Sequence, residues 1–333
     1  MSPRVSVVMP AYNHRRFVGQ AIASVLDQSF RDFELLVVDD GSTDGTPNVI
    51  RQFQDVRLML EVFPANRGAV VAENTAIRSS RGEYIAILNS DDYFLPGKLE
   101  TQVNFLDANP AVAAVFGLPG RIDERGAPLP GLAEFEIGAR IVQSRLEWLR
   151  VFFFLGNFLC HPTVMMRRAA LDDVGLYDPR LASLPDFDMW VRLGMRHDLR
   201  LLHQPLTAFR VLDQERNASR GDENRRRGEF ERVQVLKHYR RLAAADLRMI
   251  FAADIARFGI NPEQSSNVLL SDLAAQGPTG AHQYFALETL FEAYPPLENY
   301  RRIHDLARQL NPFAVGAPPK GDVANRGTHR RPR

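Results

Sequence analysis

Residues 84–92 read Tyr84-Ile85-Ala86-Ile87-Leu88-Asn89-Ser90-Asp91-Asp92. The first five are apolar or aromatic without alternation, the pattern of a central parallel strand covered on both faces. Asn89-Ser90 breaks the run with turn-forming side chains. Asp91 and Asp92 therefore fall just past the carboxyl end of a core strand, where open α/β sheets bind ligands. Adjacent carboxylates repel each other, and a divalent cation with oxygen ligands relieves that repulsion. The same residues also suit a solvated turn, with Asp92 helping to cap a helix that starts near Pro96-Gly97. From this stretch alone the two readings stand even.

Upstream, Val5-Ser6-Val7-Val8-Met9 reads as a first strand ended by Pro10. Apolar residues at helical spacing follow from Phe17 to Leu26. Glu34 to Val38 forms a second strand that runs into Asp39-Asp40-Gly41-Ser42-Thr43-Asp44, with Thr43 or Asp44 placed to cap the helix that runs on to Gln54. Val56 to Leu60 is a third strand and Ala69 to Arg78 a helix. Strand and helix thus alternate through the first hundred residues, which predicts an α/β fold with a doubly wound, mostly parallel sheet flanked by helices. Right-handed crossovers put three loops on one edge: Pro10 to Asn13, Asp39 to Asp44 and Asn89 to Asp92. Neither GxGxxG nor GxxxxGK[ST] occurs, so the usual dinucleotide and P-loop readings fail.

Downstream, the pattern predicts a helix over 97–108, a strand over 112–116, a loop or β-excursion over 121–138 and a helix over 144–154. A strand over 163–166, a helix over 168–174 with Gly175 as its C-cap, a helix opening at Pro185-Asp186 and a strand over 199–203 follow. From Glu223 to about Leu310 the chain is helical in pattern. The expected organisation is an α/β domain over 1–220, a helical region over 221–312 and a disordered tail over 313–333.

Lys plus Arg number 41 and Asp plus Glu 40, a net charge of +1, which gives no support for nucleic-acid binding. The single cysteine, Cys160, excludes an intrachain disulfide and a cysteine zinc site, so reducing cytoplasm is the expected compartment. No secretory leader pattern precedes Val5, and no apolar run reaches the length of a membrane span.

Five blocks, in order, resemble the family-2 inverting glycosyltransferases of GT-A fold. They are Val5 to Asn13, Val37 to Thr46, Leu88 to Asp92, His161 to Arg168 and Asp186 to Leu193. The resemblance spans roughly residues 3 to 213. It implies transfer of a sugar, with inversion, from a nucleotide diphosphate donor (a UDP-sugar above all) to a hydroxyl on a glycan or lipid-linked glycan. Such chemistry belongs to cell-envelope or extracellular polysaccharide synthesis. By the same resemblance Asp40 hydrogen-bonds the base, beside a wall of Pro10, Ala11 and Tyr12, and Arg67 reaches the nucleotide. Asp91 and Asp92 hold Mn²⁺ or Mg²⁺ and the ribose, with Asp92 ahead as the metal ligand. Asp186 is the base that deprotonates the acceptor; Asp188 is the second choice.

Two departures stand out. Pro185 replaces the acid that usually precedes the base, and no histidine follows Phe209-Arg210, so Asp213 or water would complete the metal shell. These departures leave an alternative, a nucleotide-sugar-binding or scaffolding protein with impaired catalysis. Trp190 reads as core ahead of a lining of the acceptor site, and Phe152-Phe153-Phe154-Leu155 as core ahead of an apolar lip for a lipid-linked acceptor. His161 reads as a polar core or acceptor-site residue. The basic cluster Arg225-Arg226-Arg227 reads as a solvated helix face, or as a contact with the inner face of an anionic membrane.

Overall fold

A computed structural model describes residues 2–130, 144–212, 222–293 and 300–310. Eight strands form one sheet: β1 (Val5–Ala11), β2 (Phe33–Asp39), β3 (Leu58–Val62), β4 (Tyr84–Ile87), β5 (Tyr93–Phe94), β6 (Val112–Ile122), β7 (Met165–Arg167) and β8 (Asp198–Arg210). Their spatial order is β3-β2-β1-β4-β7-β6-β8-β5.

The first half is built as the alternation predicts. β1 pairs in parallel with β2 and β4, and β2 with β3. The crossovers are α1 (Val18–Leu26), α2 (Thr46–Ile50) and α3 (Ala69–Ser79). Every residue of β4 is buried, because β1 and β7 flank it and helices cover its faces. Two boundaries differ from the sequence reading. Pro10 does not end β1 but pairs opposite Val38, since a parallel ladder leaves room for a residue without an N–H near a strand end. β3 begins two residues later than expected, and Val56 is fully exposed.

The second half is mixed rather than parallel. β7 runs antiparallel to both β4 and β6, and β5 antiparallel to β8, while β6 and β8 are parallel. β7 follows β6 by way of the helix over 145–154 and the 3-10 turn His161–Thr163, and it enters the sheet against the direction of both neighbours. β6 and β8 also extend well past the predicted ends.

The remaining helices are α4 (Lys98–Ala108), α5 (Arg145–Phe154), α6 (Arg168–Val174), α7 (Pro185–Arg196), α8 (Asp222–Leu236), α9 (Ala244–Ile250), α10 (Ala252–Phe258), α11 (Ser266–Ala275), α12 (Gly280–Ala293) and α13 (Tyr300–Gln309). Ser144 and Glu147 form a reciprocal capping box on α5. Phe152 and Phe153 of α5 are fully buried, as is Trp190 of α7, so all three are core. The chain divides into two compact units, residues 1–252 and 253–333. Within the second, α11 and α12 pack together, joined by a hydrogen bond from Ser271 Oγ to the Ala286 carbonyl. The expected tail over 313–333 and Asp213 lie outside the described residues, as do residues 131–138 of the expected excursion. Among the described residues no helix is long and apolar enough to cross a membrane.

The loop after β2 is the most constrained part of the sheet's carboxyl edge. Gly41 has φ +72°, and a Cβ there would fall 2.5 Å from the Ala65 carbonyl carbon and 2.7 Å from the Asn66 nitrogen. Both atoms are backbone and cannot rotate away. Gly41→Ala is therefore expected to lower stability by about 2 kcal/mol or more, measured by urea denaturation.

Candidate active site

The three loops predicted to share an edge do meet. Pro10, Ala11 and Tyr12 from the end of β1, Asp40 after β2 and Asp91 after β4 line one cavity of about 840 Å³. His14, Arg16 and Arg210 add basic groups to the same walls.

Asp39 and Asp40 do different jobs. Asp39 is fully buried and closes its own turn, accepting from the Ser42 N–H at 2.9 Å and the Ser42 hydroxyl at 2.6 Å. Asp40 reaches across to the next loop. Its two oxygens accept the Arg67 N–H at 2.6 Å and the Gly68 N–H at 2.9 Å. An ionised carboxylate has about four acceptor sites, so Asp40 is held still with capacity remaining toward the cavity. Arg67 enters this arrangement through its backbone. Its guanidinium stacks on the Phe63 ring at 4.7 Å, and it is not among the cavity-lining residues.

Asp91 and Asp92 are divided in a similar way. Asp91 lines the cavity, whereas Asp92 is 2% exposed behind it. Asp92 accepts the Arg210 N–H at 2.7 Å and the Asn89 side-chain N–H at 3.0 Å. It does not cap α4. Burial first, and then the charge of Asp91, push the Asp92 carboxyl well above the ordinary carboxylate range. Arg210 clamps the pair from β8: its Nε donates to the Asp91 carbonyl at 2.8 Å, and its Nη1 to the carbonyls of Asp123 and Glu124. Among the described residues no group of three or more His, Cys, Asp or Glu side chains is placed to hold an ion.

Asp186 is at the start of α7, half-buried, and does not line the cavity. Its Oδ2 accepts from Asn157 Nδ2 at 2.9 Å and its Oδ1 from the Phe187 N–H at 2.8 Å. Cys160 links it to the acidic pair: burial, then the charges of Asp92 and Asp186, push the buried Cys160 thiol well up. Asp188, the second choice for the base, is more deeply buried than Asp186. It is buried and engaged on both oxygens, by Arg192 at 2.7 Å and His238 at 2.6 Å.

Behind Asp186 stands a polar cluster. His161 Nε2 lies 3.1 Å from the buried Glu73 carboxylate and 3.1 Å from the Tyr177 hydroxyl. Burial disfavours the imidazolium, but Glu73 and Asp186 outweigh it and raise His161 above its ordinary value. Asp186 is raised by burial, with the His161 charge the largest effect opposing that rise. A base must be ionised to accept a proton; if Asp186 is the base, as the family resemblance implies, turnover is expected to fall with decreasing pH through the Asp186 pKa, above the usual carboxylate value of about 4. Removing the opposing charge with His161→Gln shifts that acid limb to higher pH. The check is nucleoside diphosphate release against pH for both proteins.

Sequence reasoning missed several supports of this site because their partners are distant in the chain. Lys98 is fully buried beneath it, donating to Gln102 Oε1 at 2.8 Å and the Thr163 carbonyl at 2.9 Å. Glu231 of α8 is 2% exposed and accepts the N–H groups of Ala182, Ser183 and Leu184 at 2.7–2.9 Å, fixing the segment that leads into Asp186. No local motif marks either residue.

Residues 6–175 match the family described as Glycosyl transferase family 2. The chain is 28% identical over 223 residues to an uncharacterised glycosyltransferase of Methanocaldococcus jannaschii, covering 66% of this chain and 74% of that protein. It is 42% identical over 106 residues to the putative teichuronic acid biosynthesis glycosyltransferase TuaG of Bacillus subtilis, covering 31% of this chain and 42% of that one. Among solved structures, S. aureus TarS 1–349 in complex with UDP aligns with a TM-score of 0.57 at 17% identity, over 93% of this chain and 92% of that chain. The mannosyltransferase PcManGT from Pyrobaculum calidifontis, in complex with GDP-Man and Mn²⁺, aligns with a TM-score of 0.54 at 21% identity, over 92% and 85%. At these identities the structural likeness speaks for a shared fold.

Proposed function

This chain belongs to glycosyltransferase family 2 and has the GT-A fold, and from that premise we propose that it transfers a sugar, with inversion, from a nucleotide diphosphate donor to an acceptor hydroxyl. A UDP-sugar is the proposed donor, and polysaccharide or glycoconjugate synthesis the setting. The observation that carries this reading is the single cavity that joins Pro10-Ala11-Tyr12, Asp40 and Asp91 at the carboxyl ends of β1, β2 and β4.

The proposed roles follow from chemistry. Asp40, immobilised by two backbone N–H groups, accepts from a ring N–H of the base, which suits uracil. Tyr12, 43% exposed on the cavity wall, offers an aromatic face beside it. The basic His14, Arg16 and Arg210 favour the diphosphate at the same walls. Asp91, with the remaining lone pairs of Asp92 behind it, would hold Mn²⁺ or Mg²⁺. Two carboxylates and few other protein ligands fit Mg²⁺-type binding, in which substrate phosphates and water complete the shell. Such an ion supplies charge neutralisation of the departing diphosphate. Asp186 takes the proton of the acceptor hydroxyl as its oxygen attacks the anomeric carbon. The bond from that carbon to the diphosphate oxygen breaks as the new bond forms, on the opposite face, which inverts the configuration.

Support for the donor class also comes from the fold's neighbours, which were solved with UDP, UDP-GlcNAc and GDP-Man. The reading is tested by thermal denaturation with UDP and Mn²⁺. Saturation to about a hundred times Kd stabilises by about 2.7 kcal/mol, a rise of roughly 4 °C for a protein of this size. No rise with UDP, TDP or GDP would count against it.

A further inference from the structure

We infer that Ser90 fixes the ring of His14 so that its Nε2–H donates to the diphosphate of the bound donor, a contact that forms with or without a metal ion. This rests on the donor reading above and adds to it one residue that holds the leaving group and one that positions it.

His14 and Ser90 belong to different loops, after β1 and after β4, and both line the cavity. His14 Nδ1 and Ser90 Oγ are 2.8 Å apart. Ser90 is 2% exposed, and among the described residues its hydroxyl has no other hydrogen-bond partner. A buried hydroxyl without an acceptor is costly, so the Ser90 O–H donates to Nδ1. In a neutral imidazole one nitrogen accepts and the other carries the proton. Nδ1 accepts here, which puts the proton on Nε2. In the imidazolium Nε2 is a donor as well. Nε2 therefore offers an N–H in both charge states, and among the described residues no protein group takes it. A metal ligand would need a bare Nε2. Consistent with a donor, His14 joins no group of three or more His, Cys, Asp or Glu side chains placed to hold an ion, among the described residues.

The surroundings select an anion. The buried Phe17 ring is shared by three basic side chains. His14 meets it edge-on with ring centres 6.1 Å apart, and the guanidinium carbons of Arg16 and Arg210 lie 5.1 and 4.7 Å from its centre. Two of the three are already engaged. Arg210 spends Nε, Nη1 and Nη2 on the carbonyls of Asp91, Asp123 and Glu124 and on Gln20. Arg16 pairs with Glu124 at 3.2 Å. These two supply positive charge, and His14 supplies the uncommitted donor. A base or a ribose offers neutral oxygens, whereas a diphosphate offers charged ones, which suit a donor beside two guanidinium groups.

The test exchanges the roles of the two ring nitrogens. In His14→Gln the side-chain amide reaches the place of Nε2 and can donate there. In His14→Asn it reaches only the place of Nδ1 and can serve only Ser90. UDP is titrated calorimetrically into the full chain and both variants, in EDTA and again with Mn²⁺. The Gln variant is expected to bind within about threefold of the unmodified chain. The Asn variant is expected to bind about tenfold or more weakly, by the same factor in EDTA and in Mn²⁺, the loss expected for a hydrogen bond to a charged group. Uridine, which lacks the charged acceptors, is expected to bind all three proteins within about twofold. Ser90→Ala is expected to weaken UDP binding about threefold alone and to add nothing in His14→Asn, because Ser90 acts through the ring. The reverse order, with the Asn variant retained and the Gln variant impaired, makes His14 only a partner for Ser90 and overturns the inference. So do equal UDP binding by all three, a matching loss with uridine, and a loss confined to Mn²⁺. In each of those cases the unmodified chain still binds UDP and the donor reading stands. If the unmodified chain binds no UDP in either medium, the donor reading falls with the inference.

Discussion

Asp186→Asn is expected to lower transfer by a factor of about a hundred to ten thousand while UDP and Mn²⁺ still raise the melting temperature. The substitution keeps the shape of the side chain and an oxygen that can accept one of the two hydrogen bonds now made by Phe187 N–H and Asn157. It removes the capacity to take a proton, together with one of those hydrogen bonds and the negative charge that acts on His161. Asp186 is not part of the cavity wall that Pro10, Ala11, Tyr12, Asp40 and Asp91 form, so donor binding has no reason to change. Parallel assays of nucleoside diphosphate release and of ligand-induced melting separate the two functions. If the variant keeps full turnover, Asp186 is not the base. If it loses UDP binding as well, the separation of stations proposed for this site is wrong.

The second large effect concerns the acidic pair. Asp91→Ala is expected to abolish the Mn²⁺-dependent part of UDP stabilisation, up to about 4 °C, because the cavity wall then lacks the carboxylate that follows β4. Asp92→Ala should behave differently. The Arg210 N–H and the Asn89 amide lose a buried acceptor, and leaving buried donors unsatisfied costs about 1–3 kcal/mol. The protein should melt several degrees lower even without ligand. The pair of variants thus discriminates a residue that meets the ligand from one that holds the strand ends together. Equal ligand-free melting of the two variants would contradict this division.

The sequence reading went furthest where the chemistry is local. β4 is legible because Tyr84 to Leu88 are all apolar or aromatic, and so short a run, bounded by Gly82 and Asn89-Ser90, suits a strand covered on both sides. Once β1, β2 and β4 are taken as parallel, the loops after them must share an edge, and Asp40 and Asp91 come together by topology alone. The mixed half was not legible. β7 is three residues long, too short to carry a period, and its direction follows from how the chain re-enters the sheet. The division of labour between Asp91 and Asp92 was equally hidden, since it depends on Arg210, 118 residues away. Glu231 sits in a helix with no distinct apolar face, and only the packed structure brings it to the segment that leads into Asp186. The family resemblance named both acids as metal ligands with Asp92 slightly ahead; we propose Asp91 for that role, since it lines the cavity.

The proposed reaction has this cavity and Asp186 together break the bond between a sugar and a nucleoside diphosphate. The most direct measurement is the release of nucleoside diphosphate from a panel of UDP-, TDP- and GDP-sugars with Mn²⁺, comparing the unmodified chain with Asp186→Asn. The account predicts turnover with at least one donor, a UDP-sugar foremost, that falls at least a hundredfold in the variant. Absence of turnover across the panel, or turnover that Asp186→Asn leaves intact, would contradict it.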